Sequence, residues 1–527
     1  MPAFAILPLI ALLAQPQAAR PARALADDPA RAEEPAAAKA KPAEGKKEEK
    51  KEEKKEEKEE PPIVTHHELR VGGKVLKYTA TTGLMPLRDE TGDLEAHIFY
   101  VAYTLDRGGA PVEKRPLMFS FNGGPGSSSV WLHLGALGPK RVKMKDDGMM
   151  PPPPYALVDN EETWLTETDL VFIDPVGTGY SRATTPELGK KFWSVEGDLA
   201  SVGEFVRLYL ARNERWASPL FLVGESYGTT RAAGLSGALV DKGIAFNGIL
   251  LVSSILNFQT ARFTKGNDLP YSLFLPTYTA TAWYHRKLPA DLQAKPLRAV
   301  LEEVERFAAA DYPIALAKGD ALTPAERKAV GERLARYTGL DPAWLDRADL
   351  RVEIQNFCKE LLRNERRTVG RLDTRFQGID ESGVSERPEF DPSLTAIRPP
   401  YTAMFNQYVR SVLGYKSDAT YHILADFFGS WDWGTRNGFA DTSEALRQAF
   451  AKNPDMKLFV ASGHFDLATP YFATQYTLAH LGLEPGQRAR ITTHEYEAGH
   501  MMYIHSGELA KLRKDVGAFL KAALPAQ

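Results

Sequence analysis

Cysteine is nearly absent from this sequence of 527 residues, which contains only Cys358. One cysteine cannot close a disulfide within the chain, and it cannot supply a cysteine-rich zinc site. The sequence therefore excludes a disulfide-stabilised scaffold and a zinc finger.

An excess of charge of one sign is absent too. The 65 lysines and arginines are balanced by 68 aspartates and glutamates, which gives a formal net charge of -3. Proteins that bind a phosphate backbone carry clustered positive charge, and no basic block here lacks an acidic counterpart. We therefore expect no nucleic-acid partner.

The sequence also lacks an apolar run of the roughly 20 residues that span a bilayer, so we expect no integral membrane span. Its longest run, AFAILPLIALLA at 3–14, has the length of a signal peptide, and Ala24-Leu25-Ala26 fits a cleavage site. Residues 1–26 are therefore predicted to be a signal peptide of an exported protein, periplasmic or secreted. Retention at the cell envelope by the N-terminus is one option. No Lys or Arg precedes the run, so a misassigned start codon or a disordered leader is the alternative.

Residues 27–62 are rich in Ala, Pro, Lys and Glu and end in KKEEKKEEKKEEKEEPP. This period of four places like charges at i and i+4, which destabilises a helix. The segment is therefore predicted to be a disordered, solvated linker rather than a domain.

After Pro62, short apolar runs rich in Val, Ile and Phe alternate with helix-length segments at 194–210 and 227–239. The strand candidates are HIFYVAYT (97–104), PLMFSF (116–121), DLVFID (169–174), PLFLVG (219–224), GILLVS (248–253), KLFVAS (457–462) and RITTHEY (490–496). This alternation predicts the α/β fold class, with a mostly parallel central sheet covered by helices. We assign residues 63–263 and 426–527 to this domain.

Between the two parts, residues 264–425 lack such a series of strands, and segments 324–337 and 342–363 are predicted to be helical. Thr323 and Asp341 are N-cap residue types placed directly before a proline, and Glu326 completes a capping box with Thr323. Residues 264–425 are therefore predicted to be a mainly helical insertion, placed where a lid would lie.

The first chemical signal is G-x-S-x-G at 224–228, which contains Ser226. It follows the apolar run PLFLV and begins the helical segment YGTTRAAGLSGALV. A strand, a tight turn and a helix in this order expose a serine as a nucleophile. We therefore predict that Ser226 is a catalytic nucleophile.

A serine nucleophile needs a base, and the base needs an acid that fixes its tautomer. His500 lies in EYEAGHMM after a predicted strand, and Asp466 lies in GHFDLATP after the strand KLFVAS. The order Ser, Asp, His is that of α/β hydrolases. Ser226, Asp466 and His500 are the predicted triad.

The oxyanion that forms during acyl transfer needs two backbone amides. The residue after the nucleophile, Tyr227, is predicted to supply one, and Gly124 in the glycine-rich loop FNGGPGSSS the other. We expect no metal, because HEYEAGH has Ala498 where a zincin motif needs His. The segment GTGYSR lacks the third glycine of a dinucleotide fingerprint, so no cofactor is expected either.

Five segments, FNGGPGSSS, DPVGTGYS, VGESYG, SGHFDLATP and EAGHMM, resemble in this order the signatures of serine carboxypeptidases of the carboxypeptidase Y type. The resemblance, to a bacterial-like member, implies an α/β-hydrolase fold with an inserted lid and release of single residues from peptide C-termini. It also implies that Asn122 and Glu225 bind the terminal carboxylate of the substrate. Ser127 replaces a cysteine that is common in the family, and Ala136 replaces a second glutamate that often accompanies Glu225.

The sequence thus predicts an exported serine-type carboxypeptidase that acts on peptides through an acyl-enzyme. An esterase or acyltransferase on the same scaffold is the first alternative, since a triad specifies acyl transfer but not the acceptor. A non-catalytic binding protein is the second alternative. The sequence does not indicate the oligomeric state.

Overall fold

The structure is a computed structural model, and it describes residues 59–524. The predicted signal peptide and nearly all of the predicted linker lie outside the described residues. The strands of the described part are β1 Ile63–Val71, β2 Lys74–Arg88, β3 Leu94–Leu105, β4 Leu117–Phe121, β5 Lys140–Val142, β6 Leu157–Asp159, β7 Asp169–Ile173, β8 Arg182–Ala183, β9 Leu220–Ser226, β10 Gly248–Ser254, β11 Thr368–Val369, β12 Gln377–Gly378, β13 Lys457–Gly463 and β14 Ile491–Tyr496.

Ten strands form one sheet in the order β1-β2-β3-β7-β4-β9-β10-β13-β14, and β8 pairs with β3. The half from β7 to β14 is parallel, whereas β1, β2 and β3 pair antiparallel. The strands β4, β7 and β10 are buried along their whole length, which explains why their sequences are continuous apolar runs. All of the strands predicted from such runs are confirmed.

The hairpin of β1 and β2 was not predicted from the sequence. In β1, exposure alternates with partial burial along the strand, so its sequence has no continuous apolar run. The signal that would have found it is Gly72-Gly73, a two-residue turn in which φ is 55° and 78°. Only glycine adopts such a pair of angles easily, and this turn type joins antiparallel strands.

Helices cover both faces of the sheet. The helices are α1 Val130–Leu132, which continues as a π-helical turn His133–Leu137, α2 Pro186–Phe192, α3 Val195–Arg212, α4 Tyr227–Val240, α5 Leu269–Tyr284, α6 Ala290–Gln293, α7 Leu297–Ala309, α8 Asp311–Lys318, α9 Pro324–Thr338, α10 Pro342–Arg347, α11 Ile354–Glu360, α12 Pro392–Ser411, α13 Ser443–Lys452, α14 Tyr471–Ala479, α15 Pro485–Arg488 and α16 Ser506–Ala523. Alternate residues of the central strands contact α3, α4 and α13 on one face and α12 and α16 on the other.

The segment between β10 and β13 contains α5 to α13 and a hairpin of two-residue strands. Helices α5, α7, α8 and α9 enclose a hydrophobic cluster that also includes Phe465 and Leu467, the neighbours of Asp466. The capping box of Thr323 and Glu326 at the start of α9 is present. That residues 264–425 act as a lid stays a prediction.

The helix predicted over 342–363 is wrong in its extent. The structure has two helices there, α10 and α11, because Asp349 and Leu350 adopt positive φ values of 51° and 60°. This break allows the Leu350 side chain to be buried and its carbonyl to accept a hydrogen bond from the Tyr312 hydroxyl. None of the helices described between residues 59 and 524 is long and apolar enough to cross a membrane.

Candidate active site

Ser226 is the last residue of β9 and directly precedes α4, with φ 60° and ψ -129°. This backbone conformation is costly for a residue other than glycine, and it persists only where the surrounding structure enforces it. The two flanking glycines explain how it is enforced. A Cβ atom at Gly224 would lie 2.0 Å from the carbonyl oxygen of Gly228, so strand and helix approach too closely for any side chain there.

His500 and Asp466 are in contact, with His500 Nδ1 donating to Asp466 Oδ2 at 2.8 Å. Asp466 is fully buried, and it also accepts hydrogen bonds from the Thr469 hydroxyl at 2.7 Å and from the amides of Ala468 and Thr469. With the proton on Nδ1, His500 has Nε2 available as a base.

The charges of this pair stabilise each other. Burial opposes ionisation of Asp466, but the charge of His500 and the hydrogen bonds from His500 and Thr469 hold its pKa below the usual value. Burial also opposes a charged His500, and Asp466 outweighs this effect and raises the pKa of the imidazole. The pair can therefore accept the proton of a serine hydroxyl and stabilise the resulting imidazolium.

A segment of the insertion, residues 370–376, joins the loops that carry Asp466 and His500. The Leu372 carbonyl accepts from the His500 amide at 2.7 Å, and the Arg371 carbonyl accepts from the Leu467 amide at 3.0 Å. Asp373 accepts from the Gly499 amide at 3.2 Å. This contact could not be predicted from the sequence, because it joins residues about a hundred positions apart.

The glycine-rich loop after β4 lies against the start of α4. A Cβ atom at Gly123 would lie 2.4 Å from the amide nitrogen of Tyr227, and Gly124 has φ 101°, which favours glycine. The predicted oxyanion donors, Gly124 and Tyr227, therefore belong to two backbone segments in close contact. Two amides from adjacent segments are the arrangement that binds a developing oxyanion.

Asn122 and Glu225 form a buried pair beside Ser226. Asn122 Nδ2 donates to Glu225 Oε1 at 2.9 Å, while Asn122 Oδ1 accepts from the Leu132 amide at 3.1 Å. Glu225 Oε2 is buried without a hydrogen bond of standard geometry from any residue in the described range 59–524. The Tyr503 hydroxyl is a neighbour that interacts with this carboxyl.

Burial raises the pKa of Glu225 to about 7. The charge of His500 opposes this shift, as do the neighbouring Tyr503 hydroxyl and the Asn122 amide. Glu225 is therefore largely protonated below neutral pH. A protonated carboxyl can donate a hydrogen bond to an anion, which an ionised one cannot.

Two tyrosines, Tyr401 and Tyr503, lie near Glu225 in the region of Ala136. Ala136 is fully buried, and a Cβ atom at its neighbour Gly135 would lie 2.4 Å from the Tyr503 ring and 2.7 Å from the Tyr401 hydroxyl. Neither tyrosine was predicted from the sequence to belong to the site. The short distance in sequence between His500 and Tyr503, three residues, was the only indication that Tyr503 lies near the site.

A single cavity of about 530 Å³ connects these groups. Five of the predicted site residues line it, namely Asn122, Gly124, Glu225, Ser226 and His500. Asp466 lies behind His500, and Tyr227 has its side chain buried beneath the loop of residues 431–433. Within residues 59–524, no group of three or more His, Cys, Asp or Glu side chains is arranged to hold a metal.

A parallel sheet with a serine at a sharp turn between strand and helix, followed in sequence by an Asp and a His at strand ends, defines an α/β hydrolase. Residues 73–286 match the family model of the serine carboxypeptidases. This match covers less than half of the chain, so the chain is similar to the serine carboxypeptidases over that segment.

Two of the curated relatives that this chain matches have names that contain the word carboxypeptidase. Serine carboxypeptidase-like 8 of Arabidopsis thaliana is 27% identical over 250 residues, 45% of this chain and 53% of the plant protein. Pheromone-processing carboxypeptidase KEX1 of Saccharomyces cerevisiae is 37% identical over 113 residues, 20% of this chain and 14% of the yeast protein. The matches thus span about half or less of these relatives.

Among solved structures, that of the prohormone-processing carboxypeptidase KEX1(Δ)p from Saccharomyces cerevisiae is similar, with a TM-score of 0.53 and 18% identity. The alignment covers 84% of this chain and 91% of the yeast chain. At this identity the likeness establishes the shared fold.

Proposed function

We propose that this protein is a serine-type carboxypeptidase that releases C-terminal residues from peptides. Ser226 Oγ attacks the carbonyl carbon of the last peptide bond while its proton passes to His500 Nε2. The Gly124 and Tyr227 amides stabilise the oxyanion. The C–N bond then breaks, and the proton on His500 goes to the leaving amine. Water, deprotonated by His500, hydrolyses the acyl-enzyme and restores Ser226.

The observation that carries this proposal is the Asn122–Glu225 pair in the same cavity as Ser226 and His500. Every acyl-transfer enzyme of this class needs the triad. Only an enzyme that acts on free C-termini also needs a binding site for the substrate's carboxylate within one residue of the scissile bond. The position of Glu225 in the wall of the cavity and its raised pKa suit that task. Incubation with a peptide mixture, followed by mass spectrometry, tests it directly, because residues should disappear one at a time from C-termini.

Amidation of the peptide C-terminus is expected to lower kcat/KM by about 10- to 100-fold, since hydrogen bonds to a charged group contribute about 1.5–3 kcal/mol. The measurement compares a blocked dipeptide with its amide. Asn122→Ala should reduce this discrimination, because the amide orients Glu225 and lines the cavity. Equal rates on the free-acid dipeptide and on its amide would favour the alternative that the protein is an esterase.

The pH dependence of peptide hydrolysis should report Glu225. Its proton is needed to bind an anionic terminus, so kcat/KM for a free-acid dipeptide should fall as the pH rises above about 7. On the acid side, protonation of His500 should reduce the rate. The two groups titrate as a coupled pair, so the profile gives the macroscopic values of the pair.

Two controls isolate this alkaline limb. An ester without a free carboxylate should lack it, and so should Glu225→Gln with the free-acid dipeptide, because glutamine keeps a donor at every pH. If the limb persists in Glu225→Gln, another group is responsible.

We also propose export to the periplasm or the medium, on the basis of the apolar run at 3–14 and the small residues before Asp27. Mass spectrometry of the mature N-terminus after expression in an export-competent bacterium tests this. An unprocessed Met1 on cytosolic protein would contradict it, whereas an unprocessed leader in the membrane fraction would indicate retention at the envelope.

A further inference from the structure

Arg371 lines the same cavity as Ser226 and His500, although it belongs to the helical insertion. Its backbone is fixed on two sides, since its carbonyl accepts from the Leu467 amide at 3.0 Å and its amide donates to Asp391 Oδ1 at 3.1 Å. The next residue, Leu372, accepts from the His500 amide. Arg371 is therefore positioned by the loops that carry the triad.

The Arg371 guanidinium has no hydrogen bond or ion pair with any residue in the described range 59–524. Arg375, in the same segment, differs from Arg371 because its guanidinium forms two hydrogen bonds with Asp373. Nε donates to Oδ1 at 2.9 Å, and Nη2 donates to Oδ2 at 2.6 Å. Arg371 is only partly buried and lines the cavity, so its charge is available to a ligand there.

The carboxylates that share the cavity do not satisfy this charge. Asp391 Oδ1 is the N-cap acceptor of α12, with hydrogen bonds from the Ser393 and Leu394 amides. Asp426 is exposed and forms no ion pair with Arg371 within the described residues; its neighbour Ala425 donates from its amide to the Gly126 carbonyl.

A second arginine reinforces the positive character of this region. The Arg262 guanidinium lies over the rings of Phe258 and Trp433, at 5.2 and 4.9 Å from their centres. Burial lowers its pKa, and the nearby charge of Arg371 lowers it further. Two guanidinium groups near each other favour an anion between or beside them.

We propose that Arg371 binds a carboxylate of the substrate and thereby determines which substrates react. This inference rests on the proposed carboxypeptidase function. The carboxylate has two possible sources, the α-carboxylate of the C-terminus and the side chain of an acidic terminal residue. In the first case Arg371 supplies the charge that the neutral Asn122–Glu225 pair lacks. In the second it makes the enzyme selective for acidic terminal residues.

The test uses Arg371→Met, which keeps an unbranched, flexible side chain but removes the guanidinium and its charge, and Arg371→Lys, which keeps the charge. The matched control is Arg398→Met, an exposed arginine on α12 that does not line the cavity. The substrates are blocked Phe-Leu, blocked Phe-Glu, the amide of blocked Phe-Leu, and the methyl ester of blocked Phe.

We expect Arg371→Met to lower kcat/KM by roughly 10- to 100-fold on a carboxylate substrate, relative to the methyl ester. A loss on both free acids identifies the α-carboxylate, and a loss on Phe-Glu alone identifies the acidic side chain. Arg371→Lys should recover part of the activity, and Arg398→Met should resemble the wild type. The ratio to the ester matters, because the charge of Arg371 also lowers the pKa of His500 and so affects every substrate.

An equal loss on the ester and on the free acids would overturn the proposal, as it would mean that Arg371 acts on the triad or on folding. No loss on either free acid would overturn it as well. If the wild type hydrolyses the ester but neither peptide, the proposed function fails. Arg371 is then tested separately with blocked Phe-lactate and its lactamide, a pair of esters that differ in the carboxylate alone. Equal effects of Arg371→Met on that pair would overturn the role of Arg371.

Discussion

Ser226→Ala is expected to lower kcat by about 10⁴-fold or more on both peptide and ester substrates, because the acyl-enzyme can no longer form. The fold should persist. Alanine meets the same backbone requirement as serine at φ 60°, and it removes a single oxygen at the wall of a cavity. Turnover should be measured together with the thermal unfolding midpoint, which should change little.

Ser236→Ala is a suitable control for this experiment. Ser236 lies on α4, the helix that follows the nucleophile, and its hydroxyl donates to the Ala233 carbonyl within that helix. Its loss should leave turnover near the wild-type value. Adding His500→Ala to Ser226→Ala should cost little more, since the two residues act as a unit. Retention of more than about a hundredth of the activity in Ser226→Ala would contradict the assignment.

The predicted parallel half of the sheet agrees with the structure because its strands are buried on both faces and their sequences are continuously apolar. The elbow at Ser226 was predictable for a similar reason. The close approach of backbone atoms requires glycine at 224 and 228. Both glycines lie within two positions of Ser226, so the requirement is visible in a short stretch of sequence. Local constraints of this kind can be read from a single chain.

The missed features of the candidate site depend on contacts between distant parts of the chain. Tyr401 lies beside Gly135, and Arg371 lies between the loops of Asp466 and His500, but neither position has a local pattern that indicates its neighbours. The break between α10 and α11 was missed because helical periodicity continues through Asp349 and Leu350, whereas burial of Leu350 against Tyr312 decides the backbone. The structure brings the predicted site residues together, and their roles stay predictions.

Asp466→Asn is expected to lower kcat by about 10³- to 10⁴-fold while leaving the geometry of the site intact. The hydrogen bonds of Asp466 explain why so small a change should be so costly. Oδ1 accepts from the amides of Ala468 and Thr469, so in asparagine the carbonyl oxygen must take this position. The NH₂ group then replaces Oδ2 and faces His500 Nδ1.

An NH₂ group is a donor, and it can pair with Nδ1 only if that nitrogen carries no proton. The proton of neutral His500 then resides on Nε2, the atom that must accept the proton of Ser226. His500 thus cannot act as the base, because this tautomer carries its proton on Nε2. The position of the imidazole is unchanged. Loss of the negative charge also lowers the pKa of His500, because Asp466 contributes more than Glu225 to raising it.

The chain offers a matched control in a second pair of the same kind. His494 Nδ1 lies 3.3 Å from Asp515 Oδ2, at the edge strand β14 and away from the cavity. Asp515→Asn should leave kcat near the wild-type value, whereas Asp466→Asn should abolish rapid labelling of Ser226 by a fluorophosphonate. If Asp466→Asn keeps more than about a tenth of the wild-type kcat, Asp466 is not the residue that orients His500, and the acid must be sought elsewhere.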